Sequence, residues 1–266
     1  MTPKPPRAVV AVAAPHRLDR VTGGIVRCVH PPDARPTTAA PDASWWDPEA
    51  IPAATVLVVR DGDDGVEALM LRRDRDLTFA GGTWVFPGGR IDPGDHPTEG
   101  EDLEAAALRA AVREAQEESG LVLDPLLLRR WSHWTPPPES PRRFTTAFYV
   151  AAVPADAGEI VVDDGEIREF QWRRPAEMLE RRDAGEVSLT PPTFITLHQL
   201  AQHADVASAI SGTQVVEHFS TRIAVAGDLI VAMYHGDVGY ETCEPDRDGP
   251  RHRLSMGQRW VYERMP

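Results

Sequence analysis

Glu104-Ala105-Ala106-Ala107-Leu108-Arg109-Ala110-Ala111-Val112-Arg113-Glu114-Ala115-Gln116-Glu117-Glu118-Ser119-Gly120 is the stretch on which the reading of this chain turns. It is rich in helix formers up to Ser119, and Gly120 stands where a left-handed C-cap belongs. Upstream, Thr98 and Glu101 have the spacing of a capping box. At roughly 100° per residue, Glu114, Glu117 and Glu118 project from one face of the helix. Like charges so placed cost about 0.2–0.5 kcal/mol per pair. A hard cation such as Mg²⁺, which prefers oxygen ligands, turns that repulsion into attraction. The plain alternative is a solvated acidic face. Two neighbours favour the cation: the turn at Pro87-Gly88-Gly89 offers carbonyl oxygens, and Arg113 is placed to orient an adjacent glutamate.

Outward from the helix, residues 1–50 are rich in proline and alanine with little periodicity, and read as a tail or irregular wrap. Ala54 to Val59 and Val66 to Leu71 flank a turn cluster and predict a hairpin. Thr83 to Phe86 reads as a short strand before the glycine turn, and Arg90 to Pro97 as a loop. Beyond the helix, Phe144 to Val153 and Ile167 to Trp172 read as strands. Pro175 to Arg182 and Phe194 to Ala207 read as helices, the second introduced by Pro191-Pro192. Strands and helices alternate without repeats, which gives an α/β or α+β class. The expected division is a tail over 1–50, a catalytic domain over 51–208 and a β-rich extension over 209–266 built from Ile223 to Val225, Leu229 to Tyr234 and Trp260 to Tyr262.

Composition limits the function. In 266 residues, 42% hydrophobic and 26% charged, there is enough apolar material for a buried core. A net charge of −13 opposes nucleic acid as a partner. Cys28 and Cys243, the only cysteines, are too few for a disulfide framework or a cysteine zinc site, which suits a reducing cytoplasm and leaves open one fortuitous pair. The apolar run Ala8 to Ala14, closed by Pro15, is far short of a membrane span and only faintly imitates a secretory signal.

Arg113 to Leu121 resembles the Arg-Glu-U-x-Glu-Glu-x-Gly-U half of the Nudix box, where U is apolar; Ala115 and Leu121 fill the U positions, and all seven defined positions match. Phe86-Pro87-Gly88-Gly89 resembles the approach to that box. The standard box, Gly-x5-Glu-x7-Arg, counted back from Arg113 expects a glutamate at 105 and a glycine at 99, where this chain has Ala105 and Glu99. With Gly89 as the box glycine, 24 positions separate it from Arg113 rather than 14, so ten residues are inserted between Arg90 and Leu103, and Glu104 is a candidate for the missing glutamate. The insertion, with Leu108 to Glu114, Trp131 to Pro136, Pro141 to Phe144 and Pro191 to Thr193, resembles the branch containing the peroxisomal-type coenzyme A diphosphatases. Leu71 to Leu77 and Gly82 to Phe86 match that branch's further signature only in outline.

The resemblance implies a Nudix-type α/β/α sandwich with a mixed sheet. It implies hydrolysis of a nucleoside diphosphate linked to another moiety: coenzyme A or its derivatives first, ADP-ribose or a dinucleotide such as NADH as the alternative. By it, Glu114, Glu117 and Glu118 bind Mg²⁺ or Mn²⁺, the Gly89 carbonyl adds a ligand, and Arg113 orients them. Glu166 and Glu169 lie where relatives carry an extra carboxylate, with Glu166 the candidate general base; solvated turn charge is the plain reading of each. Arg142, Arg143 and Trp134 are candidate substrate contacts, although tryptophans beside a proline-rich turn are often core anchors. Trp131 and His133 belong to the same cluster, with His133 read as structural. A non-catalytic ligand sensor on the same fold is the reading of another class, and the three retained glutamates count against it. A homodimer is compatible with the resemblance.

Overall fold

The computed structural model describes residues 45–77, 80–96, 102–162, 165–212 and 215–265. The segment 1–44 with Cys28, and the capping-box pair Thr98 and Glu101, lie outside the described residues. Residues 45–50 are not part of a loose tail, because Trp45 and Trp46 are buried.

The hairpin forms as its alternation predicts: β1 (Ile51–Gly62) and β2 (Gly65–Arg73) run antiparallel from Gly62 opposite Gly65 to Val59 opposite Ala68. Past that point the two strands part. The gap admits β3 (Trp84–Val85), which pairs with Leu71 and Arg72 of β2, and β4 (Gly88–Arg90), which pairs with Ala53 to Thr55 of β1. Gly88 and Gly89 therefore sit within the sheet. On the far side of β1, β6 (Phe144–Ala152) runs parallel to it, β5 (Arg129–Thr135) pairs antiparallel with β6, and β8 (Glu217–Ser220) lies parallel to β5. The edge beyond β2 is β7 (Ile167–Arg173). The sheet is mixed, as expected.

One face carries α1 (Leu103–Ser119), whose buried side is Ala106, Ala107, Ala110, Ala111 and Ala115. Methyl groups alone let the helix settle close onto β1, β4 and β6, against Ala54, Val56, Val58 and Ala147. The helix starts at Asp102, whose carboxylate accepts from the Glu104 N–H. It ends at Gly120 with φ 74°, a left-handed angle that a side chain resists.

The other face carries α2 (Pro175–Asp183), α3 (Pro191–Leu200) and α4 (Val206–Ser211). The single helix expected over Phe194 to Ala207 is two, since α3 closes at Leu200 and Asp205 caps a new start. A second antiparallel sheet follows, β9 (Arg222–Ala226), β10 (Leu229–Met233), β11 (Arg251–Met256) and β12 (Trp260–Met265), in spatial order β12-β11-β10-β9. Ala232, Tyr234 and Leu254 of this part share one core cluster with Phe194, Leu197 and Leu200 of α3 and Phe148 of β6. The expected boundary at 208 falls inside α4, and β8 beyond it belongs to the main sheet, so the extension proper starts at β9. Among the described residues no helix is long and apolar enough to cross a membrane.

Candidate active site

The last two turns of α1 lie beside β4, and the glycine strand is what allows the approach. A Cβ built on Gly89 would stand 2.4 Å from Glu114 Oε1, so a side chain there would push the Glu114 carboxylate out of its place. The Gly88 N–H donates to Glu118 Oε2 at 2.9 Å. Glu118 is buried, and desolvation pushes its carboxyl up to about 8, against the pull of the Gly88 N–H and of Arg73. Burial also raises Glu114, opposed by Arg113. Glu117 is the exposed member of the set.

Arg113 organises two of the three. Its Nη1 donates to Glu114 Oε1 at 2.8 Å and to Glu117 Oε2 at 2.9 Å, and its Nη2 donates to the Arg90 carbonyl at 2.9 Å. Its anchor is Asp95, buried, whose Oδ1 accepts from Arg113 Nε at 3.1 Å and whose Oδ2 accepts from Nη2 at 3.0 Å. Burial pushes the Asp95 carboxyl up, but the Arg113 pair and the Asp92 N–H outweigh it and hold it below the ordinary carboxylate range. The Arg109 Nε donates to the Asp95 carbonyl at 2.6 Å and fixes the 3-10 turn Pro93–Asp95 onto the helix.

Asp95 was missed by counting back from Arg113. Counting forward from Gly89, five residues separate it from Asp95, the box spacing with aspartate in place of glutamate. The ten extra residues thus lie between Asp95 and Arg113. Glu104 does not replace the glutamate: it accepts from Trp46 Nε1 at 3.1 Å and Arg130 Nη1 at 3.0 Å, near the start of the helix.

Among the described residues no three His, Cys, Asp or Glu side chains are gathered as a ready metal cage. The donor set nevertheless fits a hard divalent cation. A buried carboxyl with its charge strongly disfavoured, a second half-buried carboxyl, and the glycine against which that second carboxylate lies form an oxygen-lined corner.

The remaining candidates divide. Glu166 reaches the site, accepting from Arg73 Nη2 at 3.1 Å, while Arg73 Nη1 stands 3.9 Å from Glu118 Oε1. Glu169 does not; it pairs with Arg72 on the other face of the sheet. Trp134 is 4% exposed, stacks on Phe219 with centroids 4.0 Å apart and lies in the core cluster away from α1, so it is a core anchor and not a substrate platform. Arg143 is committed to Asp47 and Glu49 at the entry to β1, which removes it as a free substrate cation. Arg142 is exposed, over the Phe144 ring. Trp131 donates to Gln199 Oε1 at 3.0 Å, and His133 is fully buried between Arg130 and Thr145, structural as expected.

The sequence model of the NUDIX domain matches residues 50–191, more than half of the chain. The chain belongs to the Nudix family. Its Nudix helix is α1, and β4, seated where β1 and β2 part, carries Gly88 and Gly89 ahead of it. Acyl-coenzyme A diphosphatase NUDT19 of Gallus gallus is 28% identical over 209 residues, 70% of this chain and 55% of that protein. Putative nudix hydrolase 7 of Caenorhabditis elegans is 28% identical over 169 residues, 52% of this chain and 56% of that protein. The chain therefore spans about half the length of these curated relatives. The crystal structure of a Nudix hydrolase from Alicyclobacillus acidocaldarius superposes with a TM-score of 0.55 at 28% identity, covering 61% of this chain and 96% of that one.

Proposed function

We propose that this Nudix protein is a divalent-cation-dependent hydrolase of nucleoside diphosphates linked to a second moiety, with coenzyme A or its acyl derivatives as the substrate class. The observation that carries it is the corner formed by Glu114, Glu118 and Gly89, which concentrates carboxylate oxygens where burial disfavours their charge. Similarity to the acyl-coenzyme A diphosphatase supports the choice of substrate.

Glu114, Glu118, Glu117 and the Gly89 carbonyl would hold Mg²⁺ or Mn²⁺. When bound, such an ion neutralises diphosphate charge and acidifies a water. Arg113, held by Asp95, keeps Glu114 and Glu117 turned toward the site. Glu166 accepts the proton of the attacking water at its carboxylate as the oxygen bonds to phosphorus and the bridging P–O bond breaks, leaving two phosphomonoesters.

The test is product analysis by chromatography with mass detection after incubation with Mg²⁺ and coenzyme A, ADP-ribose, NADH or a nucleoside triphosphate. Wild type is expected to convert coenzyme A to 4′-phosphopantetheine and 3′,5′-ADP, and Glu117→Gln to be at least about tenfold slower. Cleavage of ADP-ribose or NADH alone discards the substrate and keeps the chemistry. No product with any of them, alongside Mn²⁺ binding equal in wild type and Glu117→Gln, returns the ligand-sensor reading.

A further inference from the structure

Arg73 closes β2 at the point where its pairing with β7 slips. Arg72 lies opposite Glu169, but Arg73 lies opposite Ile167, so Arg168 is the extra residue of a bulge. Bulges bend a strand and re-aim its side chains. Here the bend brings Glu166 back onto the end of β2. Its carbonyl accepts from the Asp74 N–H at 2.8 Å, its carboxylate accepts from Arg73 Nη2 at 3.1 Å, and an Arg168–Asp74 ion pair closes the bulge on the other side.

The same guanidinium faces the helix. Its Nη1 is 3.9 Å from Glu118 Oε1, and its buried Nε has no hydrogen-bond partner among the described residues. The Arg73 side chain is only 17% exposed, so the cation is kept there by carboxylates on two elements and not by a full set of hydrogen bonds. Glu166, by contrast, is 59% exposed, one residue ahead of β7. Two carboxylates converging from α1 and β7 repel unless a cation stands between them. The adjacent Arg72 shows how specific the placement is, since alternation sends it to the opposite face to pair with Glu169.

We propose that Arg73 is a positioning residue: it spans Glu166 and Glu118 and fixes the exposed carboxylate from β7 at a set place relative to the buried one of α1. The inference rests on the reading above in that Glu166 is the general base there. A planar fork suits the task, because one nitrogen donates to Glu166 while the other holds charge 3.9 Å from Glu118, a span that a single lysine ammonium does not bridge.

The experiment is a double-mutant cycle with Arg73→Gln, Glu166→Gln and the pair, read in two ways. In steady-state kinetics Arg73→Gln is expected to lower kcat about 10–100-fold with little change in KM. The double variant should be no slower than Glu166→Gln alone, and Arg73→Lys should recover only part of the loss. Multiplying losses, or a loss confined to KM, overturns the role. In thermal unfolding without substrate, the drop in Tm on Arg73→Gln is expected to shrink when Glu166 is already glutamine. An undiminished drop overturns the clamp itself. Should wild type cleave no diphosphate, the functional reading falls, and the unfolding cycle still decides whether Arg73 holds Glu166.

Discussion

Asp95 and Arg113 show how much of this site is settled one residue away from the chemistry. The glutamates of α1 are flexible chains on a helix surface, and what gives two of them a direction is one guanidinium tied at both Nε and Nη2 to a buried aspartate. Asp95→Asn keeps the shape and removes the charge, so one of the two Arg113 bonds loses its acceptor or meets an N–H. The expected result is a loss of about 1–3 kcal/mol in unfolding free energy, with kcat lower by about 10–100-fold. Denaturant unfolding and steady-state kinetics check the two parts. A variant with full activity would show that Arg113 needs no anchor. Residue-level legibility was uneven for a physical reason. Glu114, Glu117, Glu118 and Gly120 could be read because a helix converts fixed spacing into a shared face or a cap. Asp95 could not be reached from Arg113, since an insertion breaks the count. Trp134 showed its chemistry in the sequence but not the face on which it lies.

At the scale of the element, α1 is held by its small side chains. Five buried alanines set the distance between helix and sheet, and with it the distance from Glu114 to Gly89 and from Glu118 to the Gly88 N–H. Ala111→Leu adds three carbon atoms to an interface without space for them. Overpacking of this kind costs about 1–3 kcal/mol, and relief can come only by lifting the helix. Activity is therefore expected to fall further than the stability loss alone explains, measured as residual kcat well below the melting transition. Unaltered kcat in a destabilised protein would mean that α1 reaches the glycine strand with slack. The hairpin, α1, α2, β6 and β7 were legible because periodicity and turn residues agree locally. The strand β5 was not. Its sequence Arg129-Arg130-Trp131-Ser132-His133-Trp134-Thr135 lacks clean alternation because the pairing with β6 shifts between Arg130 and Ser132, so the same residues resembled a substrate cluster.

Across the whole molecule, the extension is joined to the Nudix core through a polar seam centred on buried His252, which no local pattern announces because its members come from β8, β11 and β12. Glu217 of β8 accepts from Arg264 Nη1 at 2.6 Å and lies 3.5 Å from His252 Nε2. His252 Nδ1 donates to the His235 carbonyl at 2.6 Å, so its Nε2 is the nitrogen that accepts from the Tyr262 hydroxyl at 3.0 Å. The ring is held neutral: burial lowers its pKa from 6.5 to about 4, outweighing the hydrogen bond to the His235 carbonyl and the Asp237 charge, which raise it, while the Arg264 charge adds to the lowering. The unfolded chain therefore binds this proton more readily than the folded one. Above pH 6.5 the difference has no effect; as pH falls from 6.5 toward about 4 the unfolded state is favoured progressively, by about 3 kcal/mol at the low end. His133, also lowered by burial, acts with the same sign, while Glu217, raised by burial, acts against it. His252→Gln removes only the first contribution. Its Tm at pH 7.5 is expected to be lower than that of wild type because the seam loses hydrogen bonds, but the gap should narrow steadily between pH 6.5 and 4. Parallel Tm curves over that interval would show that His252 titrates normally and that the seam is open to water.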